Sequence, residues 1–363
     1  MSDFAVILPL WQTLTAAGTE YVLATVVAVE GSGYRKAGAM MLIAQDGRRA
    51  GTISGGCLEA EVARKAFWRT EDGPCIRKYS TQSEDGEVPY GTGCGGIVHI
   101  LLERSATAAP YLAHLGAAFE ARIACAVATV LDGPSLGQRG FSSTADHGRS
   151  SLDSFAETSL QQHQSFDSTL AAPRPAAVRV QYYRARPALH VFGAGDDALP
   201  LVRFAAELGW FLTISDGRSN LATTARFPSA HTAAVLAPGP LSLPEMKAPD
   251  AAIVMTHSLE QDTRILAALL ETPLAYLGVL GPARRTREIL ESIAAARSLA
   301  GPGLASQVDT WFARIHAPMG LDLGGNSPAT IALEIIAEVQ QILSAGTAKP
   351  LHQVRGAALS ATL

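Results

Sequence analysis

Leu189-His190-Val191-Phe192-Gly193-Ala194-Gly195-Asp196-Asp197-Ala198 spells a strand end, a glycine-rich turn and a helix start, and so sets the architecture of the second half of this chain. A short β-prone run, 188–192, meets a turn of the form G-x-G-x-x-A, and a helix-prone stretch, 198–208, follows. In such a unit Gly193 permits the tight turn, Gly195 lets a pyrophosphate approach the backbone, and Ala198 lets helix and sheet pack closely. The amides at the helix N-terminus can then hold the anion. Asp216, at the end of the next apolar run, stands where a ribose-binding acid belongs. Asp196 and Asp197 cap the same helix but repel phosphate. The turn therefore has two readings, a nucleotide site or architecture alone.

Around this turn, residues 188–192, 211–215, 232–237, 251–256 and 274–280 are short apolar runs without alternation. Parallel strands covered on both faces look like this. Helical stretches at 198–208, 260–270 and 284–296 lie between them, and the repeated βαβ pattern predicts a doubly wound parallel sheet. A last helix at 328–343 has a start signal in Asn326 and Ser327, with Pro328 in its first turn. Met255-Thr256-His257 closes a strand at the carboxyl edge, where open α/β sheets bind ligands. His257 is either a ligand contact or a neighbour of a helix cap, with Asp262 five residues on. The run Gly278-Val279-Leu280-Gly281, followed by Arg284, Arg285 and Arg287, either binds phosphate or forms a solvated helix face.

The first half reads as a mixed α/β domain over residues 1–131. Strands are expected at 21–30, 40–44, 49–54, 75–79, 97–102 and 124–131, and helices at 58–68 and 110–122. Asp46-Gly47 is a strong hairpin dipeptide between the second and third strands. Residues 132–174 turn rich in Ser, Gly, Gln and Asp, and are expected to be a mobile insertion or linker with no core of its own. Residues 175–187 are a strand and connection, 188–345 the second domain, and 346–363 a tail.

At 363 residues the chain is long enough for two domains, and 48% apolar residues suit sizeable cores. A formal charge of −4 offers no basic field for nucleic acid. The apolar start lacks a basic n-region and contains Pro9, and no run approaches 20 apolar residues, so a cytoplasmic protein without a membrane span is expected. Of the four cysteines, Cys75 and Cys125 lie in strand-like runs and read as core. Cys57, in Ser54-Gly55-Gly56-Cys57-Leu58-Glu59, opens a helix, a setting that favours thiolate. Cys94, in Gly93-Cys94-Gly95-Gly96, repeats the glycine-rich setting, and paired glycines let a ligand approach the backbone. Either these two thiols are functional, or they are small buried hydrophobes. Gly31-Ser32-Gly33-Tyr34-Arg35-Lys36 offers donors for an anionic ligand, or is a solvated turn.

These segments resemble the XdhC/CoxI family of accessory proteins that mature molybdenum hydroxylases such as xanthine dehydrogenase. Gly31-Ser32, Tyr34-Arg35-Lys36, Gly38-Ala39-Met40-Met41, SGGCLE and Gly93-Cys94-Gly95-Gly96 resemble its amino-terminal domain. His190 to Gly195, Asp216-Gly217-Arg218, Thr256-His257, Gly278 to Gly281, the run 317–324 (APMGLDLG) and the last helix resemble its Rossmann domain. The resemblance covers about residues 20–105 and 188–345. It implies a protein that binds molybdenum cofactor (molybdopterin, plain or as a dinucleotide), helps a cysteine desulfurase exchange an oxo ligand for sulfido, and hands the cofactor to the hydroxylase apoenzyme. A homodimer is expected. Cys57 and Cys94 become the candidates to contact molybdenum or carry sulfur, since thiolate suits a soft metal centre. Arg35, Gly55, Gly56, Gly95, Gly193, Gly195, Asp216 and His257 are the candidate cofactor-binding residues. The Rossmann half would hold the nucleotide portion or a separate NAD(P). Two features depart from the family: Asp196 stands where it often has His, and 132–174 carries no family signature. The rival reading is an NAD(P)-dependent oxidoreductase with structural cysteines.

Overall fold

The computed structural model describes residues 2–31, 34–56, 58–80, 96–142, 150–171, 174–237, 239, 241, 243–297 and 302–354. The chain divides into two compact units, residues 1–186 and 187–363.

The first unit runs α1 (Ser2–Ala16), β1 (Tyr21–Glu30), β2 (Met40–Ala44), β3 (Arg49–Gly51), α2 (Glu59–Arg69), β4 (Cys75–Ser80), β5 (Ile97–Arg104), α3 (Ser105–Glu120), β6 (Cys125–Val130), β7 (Arg139–Phe141), α4 (Ser151–Gln162), β8 (Phe166–Leu170) and β9 (Ala176–Tyr183). The first five strands form an antiparallel sheet in the order β3-β2-β1-β5-β4. The Asp46-Gly47 turn joins β2 to β3 as expected, with Gly47 at φ +88°. Strand β1 is mostly apolar and buried from Tyr21 to Val27 because both faces of its sheet are covered. Leu23 and Leu42 pack against α1 and α3, while Val22, Ala24 and Met41 pack against α2.

Helix α1 was not legible in the sequence because Pro9 lies inside it. An interior proline costs about 3 kcal/mol. Burying Phe4, Ile7 and Leu14 at roughly 1.5–3 kcal/mol each outweighs that. Pro110 likewise sits inside α3, which starts five residues before the expected 110 because Ala108 is already buried in the same core.

Residues 132–174 correct the sequence reading. They contribute β7, α4 and β8 to a second antiparallel sheet, ordered β7-β6-β9-β8. Helix α4 starts at a capping box made by Ser150 and Asp153. Its Leu152 and Ala156 close a core with Ala126, Ala128, Val130, Val178 and Val180. Gly140 lets α4 lie on β7, since a Cβ there would collide with the Leu152 backbone. The segment carries few apolar residues because β6 and β9 supply most of the core it caps. Alternation along β6 splits its side chains, with Cys125 and Val127 joining the α1–α3 core instead.

The second unit runs β10 (Ala188–Phe192), α5 (Ala198–Glu207), β11 (Phe211–Asp216), β12 (Thr232–Val235), β13 (Ala251–Val254), α6 (Leu259–Leu269), β14 (Tyr276–Val279), α7 (Ala283–Ala296), α8 (Pro302–Phe312) and α9 (Pro328–Leu343). Its sheet is parallel throughout, ordered β12-β11-β10-β13-β14. Helices α5 and α9 cover one face, and α6, α7 and α8 the other. This is the expected doubly wound sheet, with its switch point between β10 and β13. Only α8 was missed; a start at Pro302-Gly303 hides the buried Val308 and Trp311 that anchor it.

Candidate functional site

Four of the candidate residues meet at the carboxyl edge of the parallel sheet. Gly193 leaves β10 at φ +128°, and its N–H donates to the Ser215 carbonyl at 2.8 Å. A Cβ at this position would collide with the Met255 carbonyl at the end of β13, so only glycine lets the two strand ends approach. A Cβ on Gly195 would stand 2.5 Å from Asp197 Oδ1. The glycines thus answer first to the turn itself.

Asp216 is fully buried, and its carboxylate is already engaged. Oδ2 accepts the Ala194 amide at 2.7 Å, and Oδ1 the Arg218 amide at 2.8 Å. Arg218 closes a bidentate pair on it, Nε at 2.9 Å and Nη2 at 2.7 Å. Burial pushes the Asp216 carboxyl up, but the Arg218 side chain and the two amides hold it below the ordinary carboxylate value. The geometry therefore makes Asp216 the pin of the glycine turn, with no oxygen left over in this arrangement for the ribose role expected from the sequence.

The two acids of the turn are paired as well. Asp196 meets Arg226 at 2.8 Å, and Asp197 meets His257 Nε2 at 2.9 Å. His257 holds φ +62° and remains more than half exposed, so it belongs to the crevice rim. Thr256 donates its amide and hydroxyl to buried Asp262, whose other oxygen accepts Arg285 Nη2 at 2.6 Å. Of the three arginines after Gly281, Arg285 supports the His257 loop, Arg287 pairs with Asp309, and Arg284 is exposed beside Glu288. Neither sequence reading, phosphate clamp or solvated face, describes Arg285. Arg226 was also missed, since nothing in its loop marks it; Arg218 was visible only as part of the Asp216-Gly217-Arg218 match.

The remaining candidates belong to the first unit. Glu59, at the start of α2, accepts the Ile53 amide at 3.1 Å, the Ser54 amide at 2.8 Å and the Ser54 hydroxyl at 2.5 Å. Ser54 Oγ in turn accepts the Gly56 and Leu58 amides. Burial raises the Glu59 carboxyl, and these donors more than reverse it, leaving it lowered. The first and last residues of SGGCLE thus lock the turn between them. Gly55 lies under the Tyr34 ring, beside Arg35, which pairs with Asp3. Gly55 and Gly56 therefore share this turn, whereas Arg35 lines a cleft with Lys36 and Arg179. Cys57, Cys94 and Gly95 lie outside the described residues. Among the described residues no three His, Cys, Asp or Glu side chains converge as a metal site. Cys75 and Cys125 are free thiols in or beside the core, as expected.

Both halves of the chain match known families. Residues 189–339 match the XdhC Rossmann domain, and residues 14–80 match the XdhC and CoxI family. A Bacillus subtilis (strain 168) protein, named as one probable subunit of xanthine dehydrogenase, is 32% identical over 333 residues, spanning 89% of this chain and 93% of that one. The chain belongs to the XdhC and CoxI family. The molybdenum cofactor insertion chaperone PaoD of Escherichia coli (strain K12) is 24% identical over 90% of this chain and 84% of its own. A crystal structure described as a xanthine dehydrogenase from Bacillus halodurans superposes with a TM-score of 0.71 at 27% identity, covering 97% of this chain and 99% of that one. The XdhC and CoxI match ends at residue 80, so β6 to β9 fall between the two matched regions. No helix of the described residues is long and apolar enough to cross a membrane.

Proposed function

We propose that this chain is a maturation factor that carries molybdenum cofactor as cargo, presents it for sulfuration by a cysteine desulfurase, and delivers it to a xanthine dehydrogenase-type apoenzyme in the cytoplasm. What carries the reading is that one chain is matched over about nine-tenths of its length both by a relative named for xanthine dehydrogenase and by one named for cofactor insertion. The Ser54–Glu59 lock supports it locally, because it holds Gly55 and Gly56, the residues that precede Cys57 in the sequence, with the Tyr34 ring over Gly55. In this reading Cys57 and Cys94 contact the molybdenum or carry sulfur, with Gly95 giving the second thiol access. The protein acts as a homodimer. The crevice at Gly193, Gly195 and His257 takes the nucleotide portion of a dinucleotide cofactor or a separate NAD(P). Asp216 serves there by holding the turn.

Mass spectrometry of ligands released from the native protein, with pterin fluorescence after oxidation, tests the reading. Released pterin is expected, retained by Cys75→Ala and Cys125→Ala and lost from Cys57→Ala and Cys94→Ala. Equal retention in all four variants would remove the two thiols from the site. No pterin, together with turnover of reduced nicotinamide on a small substrate, would replace the reading by an NAD(P)-dependent oxidoreductase.

A further inference from the structure

We propose that a basic cleft in the first unit, between the loop after β1 and the β8–β9 hairpin, is a binding site for a phosphate dianion. The cleft has a volume of about 350 Å³ and is lined by Val27, Ala28, Val29 and Gly31 of the β1 end, by Arg35, Lys36 and Ala37, and by Asp167 and Arg179. That is near the lower end of the size of small-molecule sites, about 300–1,000 Å³. Three cations thus line the cleft with one carboxylate, Asp167, while Arg35 also pairs with Asp3 of α1, and an apolar wall limits screening of their charge.

The loop and the hairpin are held against each other. Gly38 at φ +94° donates to the Val26 carbonyl at 2.8 Å, and a Cβ on it would stand 3.0 Å from the Gln181 side chain. Arg179 and Asp167 are cross-strand partners, 3.0 Å apart. Asp167 is 74% exposed against 22% for Arg179, and such exposed pairs contribute little. An incoming dianion with several acceptor oxygens can displace that single carboxylate. Among the described residues, the buried Nε–H groups of Arg35 and Arg179 have no acceptor, so each guanidinium keeps a donor for an anion. All of the cleft's lining residues belong to the first unit. The site goes beyond the maturation reading, sharing only Arg35 with it, and stands even if the chain carries no molybdenum cofactor.

Calorimetric titration of the full-length protein with inorganic phosphate and pyrophosphate tests it. Arg179→Gln is expected to weaken binding roughly tenfold, the scale of one lost charge-assisted contact. Asp167→Asn is expected to tighten it several-fold, a gain that a merely structural Asp167 would not produce. No binding of either anion to the parent protein overturns the proposal. So does binding that is unchanged by Arg179→Gln, which would belong elsewhere, or weakened by Asp167→Asn. Parallel titration with a phosphorylated pterin and with AMP separates a cofactor source of the phosphate from a nucleotide source. Preference for either upholds the cleft and assigns its ligand.

Discussion

Cys125 and Asp216 show how strongly position governs an ionisable side chain. Cys125 is 1% exposed in the α1–α3 core, and burial pushes its thiol up to about 12. A thiol that stays protonated near neutrality is a poor nucleophile. Iodoacetamide at pH 8, read by peptide mass spectrometry, should leave Cys125 unmodified in the folded protein and label it after urea unfolding; labelling at the same rate in both states would contradict its burial. Asp216 is the opposite case, a buried carboxylate with its value depressed. Such a group stabilises the native state above the unfolded value, about 3.9, and loses that contribution as pH falls through the lower folded value. Asp216→Asn should cost about 1–3 kcal/mol at pH 7, because it disturbs buried partners. It should also flatten the acid limb of stability below about pH 4. Scanning calorimetry at a series of pH values measures both, and a variant with the parent's acid limb would sink the assignment. Gly193→Ala should destabilise by a further route, by about 1–3 kcal/mol or more, since it adds both φ strain and a clash.

Among the elements, the segment 132–174 is tied into the first unit by charge as well as packing. Arg139, on β7, forms a bidentate pair with Glu103 of β5, and both are buried. Burial lowers the Arg139 value, but the Glu103 charge reverses this and leaves it raised. The guanidinium also lies 4.3 Å from the centre of the Tyr111 ring. Removing one member of a buried pair leaves the other uncompensated, at about 3–5 kcal/mol. Arg139→Met should therefore shift the urea midpoint strongly, while Arg139→Met combined with Glu103→Leu should recover most of the loss. A single variant within about 0.5 kcal/mol of the parent would mean that the segment bears no structural load, since surface changes run at that scale. Polar composition hid this, because a helix that caps someone else's strands needs only Leu152, Ala156 and a few neighbours.

For the molecule as a whole, the division at residues 186 and 187 carries a testable consequence. Among the described residues each unit has its own buried clusters, two in the second and three in the first. Residues 1–186 and 187–363, made separately, should each unfold in one cooperative transition by circular dichroism. A fragment that exposes hydrophobic surface to dye and melts without cooperativity would show that its core is incomplete alone.

The parallel sheet of the second unit and its G-x-G-x-x-A turn were legible in the amino-acid order alone. Those features rest on local rules, namely strand runs covered on two faces, turn sterics and helix starts, which short stretches of sequence encode. The Asp46-Gly47 hairpin and the core positions of Cys75 and Cys125 were legible for the same reason. Whatever depends on partners far apart in the chain came from the folded arrangement. It gave Asp216 to the Ala194 amide of the glycine turn, paired Asp196 with Arg226 and Asp197 with His257, and set Arg179 across from the Arg35 loop. It also turned a polar stretch into part of a sheet by seating Arg139 on Glu103. Burial and charge pairing between distant residues have no period or spacing along the chain, so they emerge only when the strands and helices that carry them come together.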